Sequence, residues 1–230
     1  MNWIWNEFHQ TGRDYTDERE AGQYDQSHAD FRDMEAEALE ALHMLEVRSD
    51  GTLLDLGCGT GSFLTIAAGR CRKVIGADVS EAMLALAREK AARLGRTNVQ
   101  FVHEGFLTYH HNGDPLDAVA TTYALHHLPD YWQAVALRRI YGMLRSGGRF
   151  YLRDVVIPDA KELFEPVQGF INEQAEAGGD FLREDAEGHF REEFSTFDWV
   201  MEGMLTRAGF TILNHRVESR VISTYLCLRP

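Results

Sequence analysis

Three glycines at alternate positions, Gly57, Gly59 and Gly61, follow the apolar run Thr52-Leu53-Leu54-Asp55-Leu56, where a strand should hand over to a helix. Glycine there lets the backbone turn tightly and lets a flat ligand press on main chain that a Cβ would block. About twenty residues on, Lys73-Val74-Ile75-Gly76-Ala77-Asp78 reads as a second strand ending in a carboxylate, the usual partner of a ribose diol. Turn and carboxylate together predict a nucleoside-binding site. The dinucleotide fingerprint G-x-G-x-x-G, begun at Gly57, needs glycine at 62, and Ser62 stands there. That argues against a nicotinamide-dependent oxidoreductase.

In an open parallel sheet, ligands sit beyond the carboxyl ends of the strands. That rule selects Gly57 to Gly61, Asp78-Val79, Glu104 to Leu107, Thr121 to His127 and Arg153-Asp154 as candidate site segments. His126 or His127 could serve as a proton acceptor near neutral pH, or could be satisfied or capping histidines. Arg153 and Asp154 could meet a substrate or pair with each other. Cys58, between two glycines, is expected to contribute backbone rather than a nucleophilic thiol. Tyr15, Tyr24 and His28 are weaker candidates, and His110-His111 beside Asn112-Gly113 reads as a solvated turn. No His, Cys and Asp spacing predicts a metal centre.

The elements that must position these residues follow from periodicity. Residues 1–28 read as an arm over the core, since Trp3, Ile4 and Trp5 need somewhere to pack. Phe31, Met34, Ala38, Leu42 and Leu45 keep one helical face apolar. Strand, helix and strand then cover residues 52–78. Ser80 is placed to cap a helix with Met83, Ala87, Ala91 and Leu94 on one face. Strands over 98–103 and 117–122 follow, then a helix capped by Asp130, and Gly147-Gly148 turns into a strand from Arg149 to Val156. Alternation of this kind predicts a doubly wound α/β fold with a mostly parallel sheet. Residues 158–194 break the rhythm and read as a helical insertion over the carboxyl edge. Ser195 to Asp198 look like a capping box for a helix to Ala208, and two strands close the chain, giving seven in all.

Bulk properties suit one compact domain of 230 residues with 44% apolar content. Its formal net charge of −13 argues against nucleic acid, which would want a basic face. No apolar run is long enough to span a membrane, and the first residues lack a secretory pattern. Three scattered cysteines suit a reducing cytoplasm.

From about Ala29 onward the order of motifs resembles the class I S-adenosylmethionine-dependent methyltransferases of the small-molecule type, whose fold is Rossmann-like. The resemblance rests on Asp55-Leu56-Gly57-Cys58-Gly59-Thr60-Gly61, on Asp78, on the stretch from Asp117 to Asp130 containing Leu125-His126-His127-Leu128-Pro129, and on Leu144-Arg145-Ser146-Gly147-Gly148. It implies S-adenosyl-L-methionine as cofactor and S-adenosyl-L-homocysteine as product. Cofactor contacts would come from Asp55, Gly57, Cys58, Gly59, Gly61, Asp78, Val79, Met83, Glu104, Gly105, Phe106 and Thr121. His126, His127, Arg153 and Asp154 would face the acceptor. One departure stands out: the family places an aspartate near the adenine amino group after strand three, and this chain reads His103-Glu104-Gly105-Phe106. Either Glu104 supplies that carboxylate, or Gly105 and Phe106 hold the adenine alone. The expected partner is a small molecule, with no nucleic acid and no membrane; a homodimer is an open assembly. A cofactor-binding protein without transferase activity is the competing reading.

Overall fold

The computed structural model describes residues 3–9, 11–12, 21–22 and 33–230. Most of the expected arm, with Tyr15, Tyr24 and His28, lies outside the described residues, as does Phe31. In chain order the elements are α1 (Met34–Leu45), β1 (Thr52–Leu56), α2 (Ser62–Ala67), β2 (Lys73–Ala77), α3 (Glu81–Arg93), β3 (Val99–Val102), β4 (Leu116–Thr122), α4 (Asp130–Met143) and β5 (Leu144–Ile157). They continue with α5 (Glu165–Glu192), β6 (Thr196–Phe197), α6 (Asp198–Ala208), β7 (Thr211–Glu218) and β8 (Ile222–Leu228).

Seven strands lie side by side in the order β3-β2-β1-β4-β5-β8-β7, and the two-residue β6 adds a short eighth pairing beside the end of β5. The strands from β3 to β5 are parallel, and β8 runs antiparallel to both neighbours. Parallel strands are covered on both faces, so their side chains are apolar whichever way they point. Leu54, Leu56, Val119, Phe150 and Leu152 pack with Leu137 and Ile140 of α4 and Leu205 of α6. Leu53, Val74, Ala118, Ala120 and Tyr151 face Leu42, Leu64 and Leu84 of the first three helices. Order reverses between β1 and β4, so the loops leaving these two strands depart to opposite faces and open a crevice at the carboxyl edge.

Several local expectations need correction. Ser80 caps α3, its Oγ accepting from the Met83 N–H at 3.1 Å, but Leu94 is 52% exposed and Leu84 takes its place in the core. Asp130 is the first residue of α4 rather than its cap; Pro129 holds the cap position, with no side-chain bond. The Ser195 capping box is absent, because Ser195 Oγ bonds His189 Nε2 instead and Thr196 is drawn into β6. Of the three large residues at 3–5, only Trp5 packs on the core; Trp3 stacks on Trp132, and Ile4 is exposed.

Helix α5 covers the carboxyl end of β5, with Val167, Phe170 and Phe190 against Val155, Val221 and Ile222. Its axis breaks at Gly178-Gly179, where Gly179 has φ 66° and ψ −150°, a region only glycine enters readily. Gly179→Ala is therefore expected to cost about 1–3 kcal/mol of stability. Denaturant unfolding measures it; a midpoint unchanged from the parent chain would mean that the break carries no strain.

Candidate functional site

The turn after β1 is held by the end of β2. Gly57 and Cys58 donate their N–H groups to the Ala77 carbonyl at 2.9 and 3.1 Å, and Gly59 donates to Asp78 Oδ2 at 2.8 Å. The other Asp78 oxygen accepts from Ser80 N–H at 2.8 Å, so one buried carboxylate fixes both the glycine turn and the start of α3. Gly57 has φ 74°, and a Cβ there would collide with that of Ala124 across the crevice. Gly59 has φ 51°, and a Cβ there would meet nothing within 4 Å. It would enter open space on the crevice side, where a flat ligand could lie against the main chain.

Two lobes meet over this turn and share Gly57, Gly59, Thr122 and Tyr123. The first is walled by Asp78, Val79, Met83, Gly105, Phe106, Ala124 and His127, with Glu7 from the N-terminal segment. Largely apolar walls with two carboxylates, Asp78 and Glu7, suit a nucleoside. The second lobe is walled by Asp55, Cys58, Thr60, Ser62, Tyr151 and Arg153. Burial, with Asp78 nearby, pushes the Asp55 carboxyl up to about 8. Burial also raises Asp78, against its bonds from Ser80 and Gly59, and pushes the Cys58 thiol well above its ordinary range, so it is no nucleophile.

The structure does not bring every candidate to the cleft. Glu104 is absent from both lobes, while Gly105 and Phe106 line the first. Thr121 is fully buried inside the sheet, and its neighbour Thr122 forms the wall, because successive strand residues point to opposite faces. Gly61 sits behind the turn as the left-handed cap of α2, close to Ala87. Of the four acceptor-side candidates, only His127 lines the first lobe.

His126 turns inward. Its Nδ1 bonds Asp154 and its Nε2 lies 3.2 Å from Glu193 Oε2 at the end of α5. Burial lowers its proton affinity, but the two carboxylates outweigh that and raise its pKa to about 10, so His126 stays protonated and is no general base. Asp154 also accepts from the N–H groups of Leu125, His126 and Val155, tying the turn after β4 to β5. His127 is driven the other way: burial first, then the His126 charge, lowers its pKa to about 4, so it is neutral at pH 7. Arg153 is bound to Glu37, Glu218 and the Tyr123 hydroxyl, and reaches the second lobe and the cavity beneath α5.

Two features escape sequence reasoning. Glu7 is buried beside Gly105 and accepts from the N–H groups of Leu107 and Thr108 and from the Thr108 hydroxyl. A Cβ on Gly105 would fall 2.5 Å from Glu7 Oε2, so this carboxylate fills the space a side chain at 105 would take. A separation of a hundred residues leaves no local signal for it. Glu193 and His189 are an i,i+4 pair, a weak signal, and with His126 and His127 they form a cluster where spacing predicts no metal.

A methyltransferase domain model matches residues 53–148. An uncharacterized methyltransferase of Geobacillus kaustophilus is 30% identical, the alignment covering 87% of this chain and 90% of that protein. A demethylmenaquinone methyltransferase of Shouchella clausii is 32% identical over 54% of this chain, so the chain spans only about half (55%) of that relative's length. Among solved structures, the N-methyltransferase NodS of Bradyrhizobium japonicum in complex with S-adenosyl-L-homocysteine superimposes with a TM-score of 0.66 at 16% identity, over 93% of this chain and 96% of that one.

Gly59→Val tests the placement of the ligand. The expected result is a loss of S-adenosyl-L-homocysteine affinity of about a hundredfold or more, ~2.7 kcal/mol, in a chain that still folds. Calorimetry giving parental affinity would move the ligand off this turn.

Proposed function

Because the chain belongs to the class I S-adenosylmethionine-dependent methyltransferases, we propose that it methylates a small molecule held between the cofactor cleft and α5. The observation that carries this reading is the junction of two spaces. His127 and Tyr123 stand on the cofactor cleft, and Tyr123 and His126 line the cavity beneath α5. A net charge of −13 supports a small acceptor over a nucleic acid. The partial likeness to a quinone-pathway relative supports a small acceptor but leaves its identity open. Among the described residues no helix is long and apolar enough to cross a membrane. Three unpaired, buried cysteines support a reducing compartment such as the cytoplasm.

The cofactor supplies a methyl group already activated on a sulfonium, so the chain has to bind, align and exclude water. Asp78 would take the ribose hydroxyls, with its carboxylate oriented by the Gly59 and Ser80 N–H groups. Val79, Met83 and Phe106 would enclose the adenine, with Glu7 supplying the carboxylate that the turn after β3 lacks. Asp55 would meet the amino-acid end in the second lobe. Residues 158–194 and the N-terminal segment would act as the cover that keeps water out.

Asp78→Ala is expected to weaken S-adenosyl-L-homocysteine binding by about 1.5–3 kcal/mol, through lost charge-assisted bonds and a freed glycine turn. Unchanged calorimetric affinity would remove Asp78 from the site. Transfer itself is tested by release of S-adenosyl-L-homocysteine from S-adenosyl-L-methionine across a panel of phenols, quinols, thiols and amines. Tight binding with no turnover on any of them would favour a binding protein.

A proton linkage follows from Asp55. Its carboxyl keeps a proton up to about pH 8 in the free chain. The ammonium group of the cofactor favours the carboxylate, so binding at pH 7 should expel a proton, and affinity should rise with pH and level off above about pH 8. Calorimetry in phosphate and in Tris, whose ionisation enthalpies differ, reads this directly. Equal enthalpies in the two buffers would exclude it.

A further inference from the structure

Where the cleft meets α5, three imidazoles converge on one carboxylate. His126 Nε2 lies 3.2 Å from Glu193 Oε2, His189 Nδ1 lies 2.5 Å from the same oxygen, and His127 Nδ1 lies 4.0 Å from Glu193 Oε1. Single donor atoms of His126, His127 and Glu193 all fall within 4.8 Å of one another. The outer nitrogens are tethered: His126 Nδ1 to Asp154, and His189 Nε2 to Ser195 Oγ at 2.7 Å. Metal-bound histidines are held this way, with one nitrogen directed inward and the other fixed by a carboxylate, carbonyl or water.

An ion-pair network is the competing account, and it leaves one atom unexplained. Among the described residues His127 Nδ1 is buried with no hydrogen-bond partner, and 4.0 Å to Glu193 is too long for a hydrogen bond. An ion between the two groups would satisfy both. Bonds of roughly 2.0–2.2 Å in a tetrahedral zinc site set donor atoms about 3.4 Å apart, close to the 3.2 Å between His126 Nε2 and Glu193 Oε2, while His127 Nδ1 lies 4.0 Å from the other Glu193 oxygen. An ion would displace the proton on His126 Nε2, and the two carboxylates beside it, Asp154 and Glu193, would then match the charge of a divalent ion.

We propose that His126, His127 and Glu193, with His189 alongside, form a binding site for a divalent first-row transition-metal ion, zinc before the others. Imidazoles with a carboxylate select zinc and its neighbours over magnesium or calcium, which prefer all-oxygen shells. The backbone at Gly12 closes the outer side, where an added Cβ would collide with Glu193. His127 borders the cofactor cleft, and His126 and His189 border the cavity beneath α5, so an open coordination position faces the junction of the two. An ion there would hold an acceptor heteroatom and lower the pKa of a bound hydroxyl, taking over the task of a general base. This last role rests on the proposed acceptor position; metal binding does not.

The test uses the tag-free full chain, stripped with a chelator and titrated with zinc chloride or magnesium chloride, with S-adenosyl-L-homocysteine affinity measured on the same samples. The expected result is one zinc per chain, no comparable magnesium binding, and zinc affinity at least about a hundredfold weaker in His127→Ala and Glu193→Gln. Cobalt(II) loaded into the parent chain should show the intense visible bands of a low-coordinate site with nitrogen ligands. If the parent chain binds S-adenosyl-L-homocysteine but takes up less than about a tenth of an equivalent of zinc, the site does not exist and the cofactor reading stands. Zinc affinity unchanged in both variants would likewise overturn it, by placing the ion elsewhere. Should either variant fail to fold, the cobalt spectrum of the parent decides: a spectrum of the hexaaqua ion overturns the proposal.

Discussion

Backbone amides leaving the carboxyl edge of a parallel sheet have no strand neighbour to bond, and a buried amide without a partner costs as much as a lost hydrogen bond. Three buried carboxylates meet that demand. Asp78 accepts from Gly59 and Ser80, Asp154 from Leu125, His126 and Val155, and Glu7 from Leu107 and Thr108. Each fixes one of the loops that line the crevice. The walls are therefore set by charged acceptors rather than by apolar packing, and the binding surface exists as main chain before any ligand arrives.

The adjacent histidines show how one turn divides two tasks. Three-ten geometry over Leu125–His127 leaves the two imidazoles side by side, centroids 4.5 Å apart, with His126 lining the cavity beneath α5 and His127 lining the cleft. The inward residue joins β5, through Asp154, to the end of α5, through Glu193. The covering helix is thus attached at the centre of the site, while its break at Gly178-Gly179 lies away from it.

Local features were legible in the chain. The alternation of strands and helices and the Ser80 cap each depend on residues within a few positions of one another, and the glycine turn and Asp78 stand in a spacing of about twenty residues. Errors arose where geometry turns on a single residue or on distant partners. Thr121 and Thr122 differ only by strand phase, and chain chemistry does not show which faces the cleft. Asp130 and Ser195 have the composition of caps, but Pro129 and the pull of His189 decide otherwise. Leu94 belongs to the apolar spacing of α3, yet it stands at the C-cap just past the helix and faces out. Glu104 lies in the expected place for a carboxylate, whereas Glu7 reaches Gly105 from a hundred residues away.

The near-contact between Gly57 and Ala124 makes a single methyl group the gauge of the crevice. The turn after β1 and the turn after β4 approach until only the Ala124 Cβ separates their backbones. Trimming that methyl would let the walls settle together, and branching it would wedge them apart. The two positions do not trade freely, because φ at Gly57 excludes a side chain even where room is made for one. Adjustment of the aperture in related chains would therefore fall on the residue at 124, with its neighbour across the gap left as it is.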